Sequence, residues 1–331
     1  MVIVFQTKPS LLAGGVVVGP LEKRSTFSQY FDVINDDERW DMKTNEQGHM
    51  KMIREACDVV MTKANIQNLD VDYFLGGDLV NQMTPTNFAA RELAISFIGL
   101  FSACATSVSS VIVASLLTEL GASKLSIAGS SSQHNAVERQ FRYPVNYGGQ
   151  KPATAQWTVT AAGFALIGKH HPDFPYIEAA TVGKVIDYGM ENPFHMGAAM
   201  APAAFETIST HLEKRKQKLH HYDLILTGDL GQIGLKILKG MFVENGWKSE
   251  ELILLRDAGA EFYGQDEAFQ SGASGAGCSA SVFFSYVNQQ MRAGRYKKVL
   301  LVATGALLSP LSFQQGETIP CTAHAIEISM K

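Results

Sequence analysis

The chain has 331 residues, of which 46% are hydrophobic and 18% charged, and a formal net charge of −4. That balance excludes a disordered chain, supports a sizeable core, and leaves no basic surplus to drive nucleic-acid binding. Mean hydropathy is near zero and no apolar run reaches the roughly 18 residues a bilayer span needs, so no membrane helix is expected.

Residues 1–5 read as a first strand and not a signal peptide, because no basic segment precedes them and Gln6, Lys8 and Pro9 follow at once. Cys57, Cys104, Cys278 and Cys321 are too few and too scattered for a disulfide framework, which favours a reducing compartment. Met50, Ile53, Cys57, Val60, Met61 and Ala64 recur at helical spacing. Short apolar runs at 72–75, 124–128, 223–227 and 299–303 predict buried strands. Between the second and third of these runs, Phe205, Ile208 and Leu212 mark a helix that ends in the basic stretch 214–218; Pro202 is expected near its first turn. Strands alternating with helices imply an α/β fold with a parallel sheet.

The chain also echoes itself. Asp72-Tyr-Phe-Leu-Gly-Gly-Asp78 matches Asp223-Leu-Ile-Leu-Thr-Gly-Asp229 in spacing, and Cys104-Ala-Thr-Ser107 matches Cys278-Ser-Ala-Ser281. Each cysteine turn is followed by an apolar helix, then Gly, Lys and a strand. A whole unit repeated once predicts two pseudo-symmetric halves, 1–170 and 171–331, with the seam in the polar loop near Gly168 to Pro175.

Cys104 sits on a turn of small residues that opens a helix carrying Val108, Val111 and Ile112. Such a place suits an acyl-accepting nucleophile or an anion pocket; a buried free thiol serving as a small hydrophobe is the competing reading. A duplicated α/β frame with this cysteine resembles the thiolase and ketosynthase superfamily. Thr160-Ala-Ala-Gly163-Phe-Ala165 is similar to its Asp-Gly-Ala-Gly-Ala segment without the Asp, and Val302-Ala-Thr-Gly305-Ala to its late glycine turn. The resemblance implies a thiolase-like fold, duplicated halves in layered α-β-α-β-α order, and a homodimer by analogy. It also implies a catalytic His and Asn, yet Thr227-Gly228-Asp229-Leu230 and Gly275-Ala276-Gly277-Cys278 stand in their places. The expectation is a binding scaffold with no catalytic residues and no cofactor.

The segments 147–152, 180–189, 196–204, 223–231 and 301–310 resemble the stage V sporulation protein AD family. That resemblance implies a component of the SpoVA assembly, peripheral at the inner membrane of the forespore or spore through other SpoVA membrane proteins. It further implies binding of dipicolinic acid (pyridine-2,6-dicarboxylate) for uptake in sporulation and release in germination, with calcium only as the ligand's companion ion. The rival expectations are a thioester-dependent acyltransferase using Cys104, and a purely structural subunit.

For a flat aromatic dianion the expected ligand residues are Cys104, Ser130, Ser131, His134, Asp78 and Asp229. Cys104 would donate a weak S–H bond; the hydroxyls and His134 follow the 124–128 strand and can donate to carboxylates. A polar loop closed by Asn135 is the plain alternative. Asp78 and Asp229 would hold calcium, with turn closure as their alternative. Arg139 and Arg142 are left to the surface or a subunit interface, and Cys321 with His324 to core packing or pocket lining rather than a zinc site.

Overall fold

The computed structural model describes residues 1–141 and 151–331; Arg142 and most of the 147–152 motif lie outside the described residues. The first half runs β1 (Val2–Val4), β2 (Ser10–Val18), β3 (Val33–Ile34), α1 (Asn45–Ala64), β4 (Tyr73–Gly77), α2 (Thr84–Leu93), β5 (Phe97–Gly99), α3 (Thr106–Glu119), β6 (Leu125–Ser132), α4 (His134–Phe141), β7 (Trp157–Thr158) and β8 (Ala161–Gly168). The second runs β9 (Tyr176–Val182), α5 (Met196–Arg215), β10 (Leu224–Thr227), α6 (Gly231–Glu244), β11 (Leu255–Asp257), α7 (Ala258–Phe262), β12 (Ala273–Ser274) and α8 (Ala276–Val282). A π-helical segment (Phe283–Val287), α9 (Asn288–Arg292), β13 (Lys298–Ala306), α10 (Pro310–Gln314) and β14 (Cys321–Ser329) complete it.

The principal sheet has the order β11-β10-β13-β14-β9-β2-β8-β6-β4-β5. It reads the same from either end. Counted outward from the centre, each half places its first strand, then its fifth, fourth, second and third. The two sets meet at one residue pair, Ser10 with Tyr176. Matched side chains do matched work: Asp72 accepts from the Lys124 N–H at 2.6 Å, and Asp223 from the Lys297 N–H at 2.6 Å. Each ties the start of its second strand to the start of its fourth.

Layering follows from which face each helix buries. Thr44 caps α1 by accepting from the Gln47 N–H, and Asn65 ends it in the left-handed conformation. Between these stops Met52, Ile53, Ala56, Cys57 and Val60 are buried against β2 and β8, at about 1.5–3 kcal/mol for each large side chain. On the other face, α3 touches β4, β6 and β8 of its own half and β13 and β14 of the second. Helix α8 lies beside it, with Ser107 Oγ and Ser279 Oγ 2.8 Å apart. Helix α5 covers the far face of β13 and β14, and α6 packs beside it and against β11. The result is the expected α-β-α-β-α order.

Two local expectations are corrected. The strand expected to stop at residue 128 continues as β6 to Ser132, so the three serines are strand residues and fully buried. Small hydroxyls fit there because α3 and α8 press on the sheet: a side chain at Gly163, opposite Ser130 in β8, would come within 2.6 Å of Ala280. Pro202 lies well inside α5 and not at its start. An interior proline costs about 3 kcal/mol, and close packing of α5 on α6 offsets it; a side chain at Gly197 would sit 2.2 Å from the Leu230 carbonyl.

Candidate functional site

Cys104 precedes α3 on a turn whose previous residue, Ala103, has φ 49. A left-handed alanine is strained, and such strain persists only where the surroundings impose it. The imposing element is the end of β13: a side chain at Gly305 would lie 2.3 Å from the Ser102 carbonyl, so only glycine lets the cysteine turn pack there. The thiol is half-buried and forms part of a narrow cavity lined by Leu79, Phe101, Val137, Glu138, Thr158, Met196, Ser274, Gly275, Ala306 and Leu308. Its inner volume is about 40 Å³. That exceeds the ~10–15 Å³ one water needs and falls short of a ring bearing two carboxyls.

Behind Cys104 stands Asp229, fully buried. Its Oδ1 accepts from the Thr304 hydroxyl at 2.5 Å. Oδ2 makes no hydrogen bond of ordinary geometry; the Cys104 thiol and the Gly275 N–H are the donors directed at the carboxyl. Burial raises Asp229 to about 7, with Asp257 adding repulsion against these donors. Burial, then the Asp229 charge, push the Cys104 thiol well above its ordinary range. Burial therefore shifts both groups toward their neutral forms, and each opposes ionisation of the other. No imidazole lines the cavity among the described residues.

The polar wall belongs to α4 and β7. Glu138 accepts from Thr158 Oγ1 at 2.8 Å, and Lys151 Nζ lies 3.5 Å from Glu138 Oε2. Lys151 also sits 4.4 Å from the Trp157 ring centre. Trp157 in turn stacks on His134 at 4.0 Å, and the His134 Nδ1 is 3.0 Å from the Thr158 carbonyl.

Of the six residues expected at the site, the structure brings Cys104 and Asp229 together. Cys104 alone of the six lines the cavity, with Asp229 buried directly behind it, and the other four lie elsewhere. Ser130 donates to the Ala276 carbonyl at 2.9 Å, and Ser131 meets His49 Nε2 at 2.8 Å; both are spent joining the strand to neighbouring helices. His134 braces the wall through Trp157. Asp78 closes its own turn, accepting from the Val80 N–H, the Thr86 N–H and the Thr86 hydroxyl. Among the described residues no three or more His, Cys, Asp or Glu side chains gather as a metal site. Arg139 pairs with Glu46, while Cys321 and His324 are buried in β14, outside the cavity lining.

Sequence reasoning missed Glu138 and Lys151. Glu138 had a usable signal, since it follows His134 by four residues and so shares its helix face. Lys151 had none. Asp257 was missed too, although an Asp directly before Ala-Gly-Ala reads as a helix cap.

Comparison with known proteins places this arrangement. The sequence model of the family "Stage V sporulation protein AD (SpoVAD)" matches residues 1–329. The stage V sporulation protein AD of Bacillus subtilis (strain 168) is 42% identical over 327 residues, covering 98% of this chain and 95% of the relative. Among solved structures, 3-oxoacyl-[acyl-carrier-protein] synthase III from Aquifex aeolicus VF5 superposes with a TM-score of 0.58 at 12% identity, covering 97% of this chain and 99% of that one. Cerulenin-bound OleA of Xanthomonas campestris gives 0.62 at 13% identity, covering 99% of this chain and 100% of that one. At such identities the structures establish the thiolase-like fold alone. No helix among the described residues is long and apolar enough to cross a membrane. The chain belongs to the stage V sporulation protein AD family.

Proposed function

We propose that this chain is a non-catalytic receptor that binds dipicolinic acid in the Cys104 cavity, for uptake of that solute in sporulation and its release in germination. Family membership supports the spore setting. The observation that carries the non-catalytic reading is the carboxyl behind the thiol. A condensing enzyme needs a thiolate and a base. Here the polar group beside Cys104 is Asp229, whose neutral form is no base and whose ionised form repels a thiolate. In this reading the chain needs no cofactor, meets the membrane through other SpoVA proteins, and works as a homodimer.

The cavity sets conditions on the ligand. Apolar walls and the Ser274–Gly275 backbone suit a flat ring with polar ends. The ring enters only when the mouth widens, and Phe101, 50% exposed at that mouth, is the side chain free to swing. Calorimetry with dipicolinate tests the reading on wild type, Cys104→Ala and Ala306→Trp, the last filling the cavity. Saturable binding lost in Ala306→Trp is expected. No heat from wild type at millimolar ligand rejects the function; an unchanged Ala306→Trp rejects only the place.

A second reading, acyl transfer with Cys104 as nucleophile, is favoured by one feature. The strained Ala103 turn presents the next side chain much as sharp nucleophile turns do. Incubation with acyl-CoA or acyl-carrier protein, followed by intact mass, decides it: a stable adduct on Cys104 establishes the transfer, and an unmodified chain retires it.

A further inference from the structure

A larger cavity, of about 620 Å³, lies away from Cys104 where β2 parts from β9. These strands share only the Ser10–Tyr176 pair, so the outer edge of β2 lacks a partner strand until β3 joins it at Val17. Lys63 spans part of that gap. Its Nζ donates to the Gly14 carbonyl at 2.7 Å and pairs with Asp32 at 2.6 Å, so its charge is matched. Leu12 is the extra residue of a bulge between Leu11 and Ala13, and it lines the cavity with Ile66, Leu125 and Leu166. Bulges of this kind re-aim a side chain locally.

The opposite wall is graded. Phe284, Asn288 and Arg292 line the cavity at four-residue intervals, on a helix that passes from a π-helical segment into α9. Phe284 is 2% exposed, Asn288 8%, and Arg292 is at the surface. The wall therefore runs from apolar through amide to cation, from floor to mouth. Asn288 Oδ1 makes no hydrogen bond although it is buried. An amide left so is costly to the fold, and turning it over presents its NH₂ to the same place. Arg292 lies 4.9 Å from the Phe174 ring centre and makes no ion pair among the described residues. Lone π-helical turns are frequent at functional sites.

We propose that this cavity is a second ligand site, which takes an amphipathic carboxylate. The hydrocarbon end lies against Leu12, Leu125, Leu166 and Phe284. The carboxylate meets Asn288 and then Arg292, whose planar fork matches it. Dipicolinate fits this wall poorly, because the deep end is apolar and one unmatched cation faces it. Sodium decanoate is the probe, with acetate and decanol as the tail-less and charge-less controls. Calorimetry on the whole chain should give saturable one-to-one binding of decanoate, weaker binding of decanol and no heat from acetate. Arg292→Gln, at an exposed position that does not hold the core, should weaken decanoate binding roughly tenfold, the scale of one charge-assisted hydrogen bond. Leu12→Trp should abolish binding while a thermal melt shows the fold retained, and Ala306→Trp should leave it intact. Absence of saturable binding in wild type overturns the proposal. So does equal affinity in Arg292→Gln, or loss of binding in Ala306→Trp.

Discussion

Asp78 and Asp229 occupy the same place in the two halves, six residues beyond Asp72 and Asp223, yet they do different work. Asp78 takes three donors from its own turn and is occupied there. In the second half the equivalent turn is closed from elsewhere. Asp257 accepts from the Leu230 and Gly231 N–H groups, and from the Thr227 hydroxyl and the Ala260 N–H. The sheet register explains the substitution. Asp257 pairs with Thr227 at the end of the third strand, and in the first half Gly99 pairs with Gly76 at the matching position. Only the second half has a carboxylate there. Because Asp257 holds the turn, Asp229 is released to stand behind Cys104. Of the two equivalent carboxyls, one closes its own turn and the other stands behind the cavity thiol.

The largest effects should come from the two carboxyls assigned to turn closure. Asp257→Ala removes the acceptor of four donors and should cost about 3–4 kcal/mol, since the Thr227 hydroxyl keeps the Arg256 carbonyl; Asp78→Ala strands three buried donors and should cost about 3 kcal/mol. Urea melts measure both. Asp78→Ala with little cost would show that its turn closes by other means, and would remove the contrast with Asp229.

Next is a pH effect. Asp229 is raised from 3.8 to about 7, and Glu22, buried beneath Thr160 and Tyr263, from 4.5 to about 7. The folded chain then holds protons that the unfolded chain releases, so stability falls as pH rises from about 4 to about 7. Asp229→Asn removes one such group. It should match wild type near pH 4 and exceed it by about 2–4 kcal/mol near pH 8, the upper figure being the full shift converted. Dipicolinate binding should weaken in wild type as pH rises through about 7, because Asp229 then charges behind the ligand, and should stay level in Asp229→Asn. Parallel stability curves for the two proteins would mean that Asp229 is ionised throughout.

How far the sequence revealed this site depends on what each residue does. The duplicated frame was legible because strand period, Gly-Asp turns and helix spacing are local and recur twice. Cys104 and Asp229 were legible for the same reason: each falls at the junction of strand end and helix start. Ser130 and Ser131 misled because a serine in a loop and a serine in a doubly covered strand read alike; only the close approach of α8 shows the difference. Asp78 misled because its sequence neighbours are those of Asp229, and the donors that occupy it come from a turn whose path is set in three dimensions. Glu138 and Lys151 meet through β7 and the Trp157 ring, a contact between segments that no spacing records.

The smallest effect isolates the contact that holds Asp229 in place. Thr304, near the end of β13, gives its hydroxyl to Asp229 Oδ1, and that bond lowers the carboxyl's pKa against the burial that raises it. Thr304→Val keeps the shape and removes the bond. The charged carboxylate loses more than the neutral acid, because hydrogen bonds to ions are the stronger ones. The substitution should therefore cost about 1 kcal/mol near pH 8 and less near pH 5, and should move the pH midpoint of the stability curve upward. The matching position in the first half is Ser131, near the end of β6, whose buried hydroxyl meets His49 Nε2 and no carboxyl; burial holds that imidazole down at about 3, so Ser131→Ala should cost a similar amount with no dependence on pH between about 5 and 8. If Thr304→Val is equally insensitive to pH, its hydroxyl serves packing rather than the charge on Asp229, and the two halves are more alike at this point than their hydrogen bonds imply.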